Sequence, residues 1–266
     1  MAMNYKFNLE RSPIDPRDFM LESVYPVQVD LPIEWDLRKG MQPIRDQGAQ
    51  GSCSAQSAAA MKEWQEKVDV QYNAYMSPQF IYNNRTNIES EGMTPRDTMR
   101  ILNKIGIVPE KMYPYGTMAK PSDVVMSAAT QYQIMGYSQI NTMDSLKKAL
   151  YANGPCYIAF PVYNANKMEF WKPEFQGQQM VGGHAVCVAG YLKDCFIIRN
   201  SWSTAWGDAG YTYYKFTDWG SHWECWTSID AESNHDGLVK KLEMNATCSE
   251  KRKGFFAKLF GKKLKK

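Results

Sequence analysis

No apolar run in this 266-residue chain reaches the ~18 residues that a membrane-spanning helix needs. The opening MAMNYKFNLERSPIDPRDF carries charges where a secretory leader would be apolar, so the chain is expected to be cytoplasmic or otherwise not secreted. Histidine is scarce, with three copies, and there is no CxxC pair and no His/Cys ligand cluster. That argues against a zinc site, and neither a metal nor an organic cofactor is expected. The six cysteines (Cys53, Cys156, Cys187, Cys195, Cys225 and Cys248) lack framework spacing, and Cys156, Cys187 and Cys195 fall in strand-like runs. They read as free thiols of a reducing compartment. No internal repeat is present, which excludes a solenoid or propeller.

What is there divides into two textures and a tail. At 44% apolar the chain can bury a sizeable core. Up to about residue 130 the pattern is helical. The alanine-rich Cys53–Lys67 stretch has no Pro or Gly and follows Ser52, a candidate N-cap; Ser77-Pro78 opens a helix to about Thr86; Thr94-Pro95 opens another that Gly106 ends, with Met99, Ile101, Leu102 and Ile105 as its apolar residues. Beyond about Gln131, Cys156–Tyr163, His184–Leu192, Cys195–Arg199 and Tyr211–Phe216 read as strands, interrupted by a helix over Met143–Ala152. The tail Ser249–Lys266 has eight Lys/Arg against one Glu, whereas the whole chain is only +3, so residues 1–248 are net negative. Phe255, Phe256, Leu259, Phe260 and Leu264 fall near helical spacing there. The tail is expected to meet an anionic membrane surface or nucleic acid, a plain solvated tail being equally open because Gly254 and Gly261 weaken a helix.

The chemistry concentrates around Cys53. A thiol is mostly protonated near neutral pH, so a cysteine nucleophile needs an imidazole partner and a positive local field. A helix start supplies the field. Gln47 lies six residues before Cys53, His184 lies 131 after it and Asn200 lies 147 after it. His184 can serve as the base, Asn200 can accept its second N–H, and Gln47 with the Cys53 N–H can donate to an oxyanion. Singly, each has a plainer reading: Cys53 as a small buried apolar residue, His184 as a strand residue, Asn200 as a turn cap, Trp202 as core. His222 and His235 read as surface residues.

Five blocks in order carry a family resemblance: Leu31-Pro32 to Asp36-Leu37-Arg38, Pro43 to Gly48, the segment around Cys53, Gly182-Gly183-His184-Ala185-Val186, and Asn200-Ser201-Trp202 with Trp206-Gly207 and Gly210-Tyr211. From about Leu31 to about Asp230 the chain resembles papain/cathepsin-type cysteine peptidases. Gln50 and Ser54 stand where that family has a disulfide cysteine and an aromatic, a pattern similar to its disulfide-poor microbial and viral branch. The resemblance implies an α+β fold of two domains, a helical one carrying the nucleophile and a β-barrel-like one carrying His184 and Asn200, with a cleft between. It also implies a catalytic set of Cys53, His184, Asn200 and Gln47, with Trp202 shielding the Asn–His bond and Gly92 and Ala185 in the substrate cleft. The expected boundaries are an extension over 1–30, a catalytic region over 31–234 (helical about 41–130, β about 131–234) and a second extension over 235–266. Residues 1–30 are too short for the family's inhibitory propeptide and are expected to pack along the catalytic region or to be disordered. The expected activity is peptide-bond cleavage of a peptide or protein substrate by an endopeptidase through a Cys53 thioester; a non-catalytic peptide-binding protein and a Cys-dependent acyltransferase or transamidase remain open, as does the oligomeric state.

Overall fold

The computed structural model describes residues 5–24 and 30–230; His235, Cys248 and the basic tail lie outside the described residues. Helices occupy Leu21–Val24 (α1), Cys53–Asp69 (α2), Pro78–Asn83 (α3), Pro95–Lys104 (α4), Asp123–Ala129 (α5) and Met143–Ala152 (α6). Capping explains most of their starts: the side chains of Ser77, Thr94, Ser122 and Thr142 each accept the backbone N–H three residues on. Such a cap contributes about 1 kcal/mol. Pro78 and Pro95 occupy first-turn positions where a missing N–H costs nothing. α3 stops at Asn83, short of the expected Thr86, because the Asn84 side chain turns back to donate to the Phe80 carbonyl.

Seven strands follow: Trp35–Asp36 (β1), Ile134–Gln139 (β2), Cys156–Val162 (β3), Gly182–Tyr191 (β4), Cys195–Arg199 (β5), Tyr211–Lys215 (β6) and Glu224–Asp230 (β7). They form one antiparallel sheet in the order β2-β7-β3-β4-β5-β6, with β1 on β4. The barrel-like β part is thus a sheet path from β2 to β6. β3, β5 and β7 are buried throughout, so none shows polar–apolar alternation: β3 and most of β5 read as continuous apolar runs, whereas β7 mixes buried polar with apolar residues.

Four apolar cores hold the parts together, the smallest being Phe80, Val108, Tyr113 and Ala129. Ala55, Ala58 and Ala59 of α2 pack with Ile81, Ile101 and Leu102 inside the helical part. Phe160, Phe170, Trp171, Val186, Phe196, Ile198 and Tyr214 build the large core of the sheet. Between them Cys53, Ala60 and Met61 of α2 meet Tyr157, Ala159, Ala185, Cys187 and Trp226. The small side chains of α2 let it approach β4 closely. An ionic anchor lies at the far end of the same helix: Lys62, 1% exposed, bonds Asp230 and Glu66 at 2.5 Å each.

Candidate active site

Cys53 is the first residue of α2, where the dipole and unpaired N–H groups favour an anion. Ser52 does not cap this helix with its side chain. Tyr115 donates its phenolic proton to the Gln47 carbonyl (2.8 Å), so the Ser52 hydroxyl is drawn away to donate to Tyr115 (2.6 Å).

Across the interface, β4 delivers His184 and the residue after β5 delivers Asn200. His184 Nε2 lies 2.8 Å from Asn200 Oδ1. An amide oxygen only accepts, so Nε2 carries the proton and Nδ1, which has no hydrogen-bond partner among the described residues, is the basic nitrogen. Asn200 Oδ1 is itself fixed by the Ser201 N–H at 2.8 Å. Trp202 stacks on the imidazole with centroids 4.3 Å apart and is fully buried, closing that side to water.

Gln47 arrives by strand-like pairing of two loops: its N–H donates to the Ser201 carbonyl (2.9 Å), the Ser203 N–H donates to the Arg45 carbonyl (3.0 Å), and Asp46 bridges Trp202. Its Oε1 accepts from the Ser201 hydroxyl (2.8 Å), which leaves Nε2 donating to the Gln50 carbonyl at 3.1 Å. Ser201 is the positioning residue the sequence reading passed over, although it sits inside the quoted Asn-Ser-Trp block. Gln47, Cys53, His184, Asn200 and Trp202 are thereby gathered into one buried region, with Ala185 in the same cluster as Cys53.

The model of the papain family cysteine proteases matches residues 31–229. This chain belongs to that family. It is 28% identical over 192 residues to an uncharacterized peptidase C1-like protein of Acanthamoeba polyphaga mimivirus, covering 62% of each chain. It is 30% identical over 199 residues to Peptidase 1 of the mite Euroglyphus maynei, covering 70% of this chain and 61% of that one. Among solved structures it is similar to xylellain, a cysteine protease from Xylella fastidiosa: 28% identity, TM-score 0.73, 86% of this chain and 97% of the other. The chain spans somewhat under two thirds of the length of these two sequence relatives.

Within this papain-family site the ionisation differs from the expected thiolate–imidazolium pair. Burial pushes the Cys53 thiol up to about 11, against backbone N–H groups of Ala185, Ser54 and Cys53 that favour the thiolate. Burial likewise pushes the His184 imidazole down to about 4, against its bond to Asn200. In this arrangement burial works toward the neutral form of each group.

The covering that buries them is residues 5–18, which lie across the site between its two walls. Phe7 and Leu9 exchange backbone hydrogen bonds with Gly183 of β4 (3.1 and 3.3 Å), and the Glu10 N–H donates to the Met93 carbonyl on the helical side (3.1 Å). Tyr5 stacks on Trp202 at 5.1 Å, and Phe7 presents its ring to both Trp202 and His184. Gly92, placed in the substrate cleft from the sequence, sits against this segment and not open space. Residues 5–18 thus pack along the catalytic region, and they do so over the site itself. His222 is corrected: it is half-buried, its Nδ1 is 3.0 Å from the Tyr214 hydroxyl, and it packs against Phe160 and Trp219. Cys53, Cys156, Cys187, Cys195 and Cys225 are free and buried.

Proposed function

We propose that this chain is a cysteine endopeptidase that cleaves peptide bonds through a thioester on Cys53. Cys53 Sγ attacks the scissile carbonyl carbon while His184 Nδ1 takes the thiol proton. The tetrahedral oxyanion receives the Cys53 backbone N–H and the Gln47 Nε2 proton, which exchanges its Gln50 carbonyl for the new acceptor; each such donor is worth about 100-fold or more in rate. Collapse breaks the C–N bond, His184 returns the proton to the leaving amine, and a water activated by His184 hydrolyses the thioester. Asn200 holds the imidazole and transfers no proton. Trp202 keeps water off the bond that holds it.

The observation that carries this reading is the His184–Asn200 bond, which commits Nε2 and leaves Nδ1, without a hydrogen-bond partner among the described residues, to act as the base. The test is hydrolysis of an unfolded protein and a peptide library by the full chain and its Cys53→Ala variant. Cleavage by the former alone supports the reading. Binding without cleavage points to a peptide-binding protein, and an amide product in the presence of an added amine points to an acyltransferase.

A further inference from the structure

The two donors proposed for the oxyanion, the Gln47 side chain and the Cys53 backbone N–H, stand at opposite ends of one short loop. A donor stabilises the developing charge only at about 2.7–3.1 Å from it, so their spacing has to be held to within about 0.5 Å. The Gln47 end is tied by its N–H and its Oε1 to Ser201, just beyond β5. A single hydroxyl then bridges the two ends. Tyr115 donates to the Gln47 carbonyl (2.8 Å) and accepts from the hydroxyl of Ser52 (2.6 Å), the residue before Cys53.

The turn that carries Tyr115 is itself held. The Ser77 hydroxyl, at the cap of α3, donates to the Tyr113 carbonyl (2.5 Å). Asn83 Nδ2, at the other end of α3, donates to the Tyr113 hydroxyl (2.7 Å) and to the Thr117 carbonyl (3.0 Å). Between them Gln79 Oε1 takes the Gly116 N–H (2.9 Å) and also Gln50 Nε2 (3.2 Å) from the middle of the loop. α3 therefore fixes the turn, and the turn reaches the loop at Gln47, Gln50 and Ser52. Burial pushes the Tyr115 phenol above its ordinary value, so it keeps the proton that it donates.

We propose that Tyr115 is a positioning residue for the oxyanion donors: its one hydroxyl sets the spacing between Gln47 and the start of α2, so that the Gln47 amide and the Cys53 N–H converge on the same oxygen. The proposal rests on the peptidase reading and adds to it the group that holds the two donors together. Tyr115 acts through Gln47 and Ser52 and not on the reacting atoms. The same bridge accounts for the missing side-chain cap on α2: the Ser52 hydroxyl is committed to Tyr115, so it is not spent on the first-turn N–H groups that favour an anion at Cys53.

The test compares the full chain with Tyr115→Phe, which removes the hydroxyl and keeps the ring. Three quantities are measured: hydrolysis of a short peptide, affinity for a peptide aldehyde, and the rate of Cys53 alkylation by iodoacetamide, located by peptide mass. In the aldehyde adduct Cys53 Sγ bonds the aldehyde carbon, the thiol proton leaves through His184, and the former carbonyl oxygen stands where the oxyanion would. Alkylation displaces iodide and forms no oxyanion. The expected result is a fall of about tenfold in kcat and kcat/KM together, part of the ~100-fold that a whole donor is worth, with KM unchanged. Aldehyde affinity should fall by the same factor while alkylation keeps the parent rate. General loosening of the fold would move alkylation with the other two. Ser52→Ala, which cuts the other half of the bridge, should give the same pattern at smaller amplitude, and it decides alone should Tyr115→Phe fail to fold. Parent-like hydrolysis and aldehyde affinity in the variants overturn the proposal, as does a parallel fall in alkylation. Weaker aldehyde binding in the variants beside a parent that hydrolyses nothing upholds the positioning role and defeats the peptidase reading, whereas hydrolysis that Tyr115→Phe leaves unchanged upholds the peptidase and defeats the positioning role. A parent that forms no adduct and cleaves no peptide defeats both.

Discussion

Replacing Lys62 with Ala should cost about 3–5 kcal/mol, because it removes the ammonium that lies between two buried carboxylates. Glu66 is 8% and Asp230 4% exposed at the side chain, and the ammonium meets an oxygen of each at 2.5 Å. The loss is a large part of the 5–15 kcal/mol typical of a folded domain, on the order of the difference between a stable and a marginal enzyme. It falls on the contact that ties the nucleophile's helix to the last strand. Urea unfolding of parent and variant at neutral pH measures it. A triple variant, Lys62→Met with Glu66→Leu and Asp230→Leu, should recover most of the loss by removing the charges together. A cost below about 1 kcal/mol at neutral pH, or a triple variant no more stable than Lys62→Ala, would refute the view that the triad is a buried anchor.

Two further outcomes follow from the same kind of argument. Asn200→Ala frees His184 Nε2 from its 2.8 Å bond, and kcat/KM should drop by about 5- to 150-fold, the rate equivalent of about 1–3 kcal/mol for a buried group left unpaired, with residual activity; steady-state hydrolysis of a short peptide by the full chain checks it, and unchanged kinetics would remove the orienting role. Burial, reinforced by Asp230, pushes Asp69 up to about 7 from 3.8, so its folded form is favoured at low pH and stability is lost as pH rises through that window. Asp69→Asn should raise Tm at pH ~8 and flatten the fall in Tm from pH ~4 upward; a lower Tm at pH ~8 would show the carboxylate to be a favourable partner.

The parts legible in the sequence were those with local causes. Pro after Ser or Thr marks α3 and α4, and the helix over Met143–Ala152 has the bounds its composition predicts. β3 to β6 were visible as Val-, Ile- and Tyr-rich runs. β7 was not, because Glu224-Cys225-Trp226-Thr227-Ser228-Ile229-Asp230 is buried on both faces yet half polar, with Asp230 paired to the distant Lys62 and Glu224 accepting from the distant Ser12 N–H and from Trp226 Nε1. The gathering of Gln47, Cys53, His184 and Asn200 was legible through family spacing. What spacing cannot supply is the environment. A helix start predicts a stabilised thiolate, but burial works in the opposite direction on both partners. The placing of residues 5–18 over the site was hidden because main-chain hydrogen bonds leave no side-chain motif; its trace is the pair of glycines, Gly92 and Gly183, that admit the segment.

The two departures from the papain pattern have physical substitutes in the structure. Position 54 lacks the family's aromatic, but the ring beside Cys53 comes from Tyr157 of β3, whose hydroxyl bonds Ser54 Oγ at 2.7 Å while Thr98 bonds it at 2.6 Å. A larger residue at 54 would strand the buried Tyr157 hydroxyl, so Ser54 and Tyr157 belong together. Position 50 lacks the disulfide cysteine, and there Gln50 Nε2 donates to Gln79 Oε1 (3.2 Å), which also takes the Gly116 N–H (2.9 Å), while Gln79 Nε2 donates to Asn83 (2.8 Å). Three such bonds at about 0.5–1.5 kcal/mol each rival the 2–4 kcal/mol typical of a disulfide. They act on the loop whose Gln50 carbonyl holds the Gln47 amide. The Gln47 amide, the proposed oxyanion donor, is thus positioned through Gln50 by hydrogen bonds where the family's pattern has a disulfide cysteine.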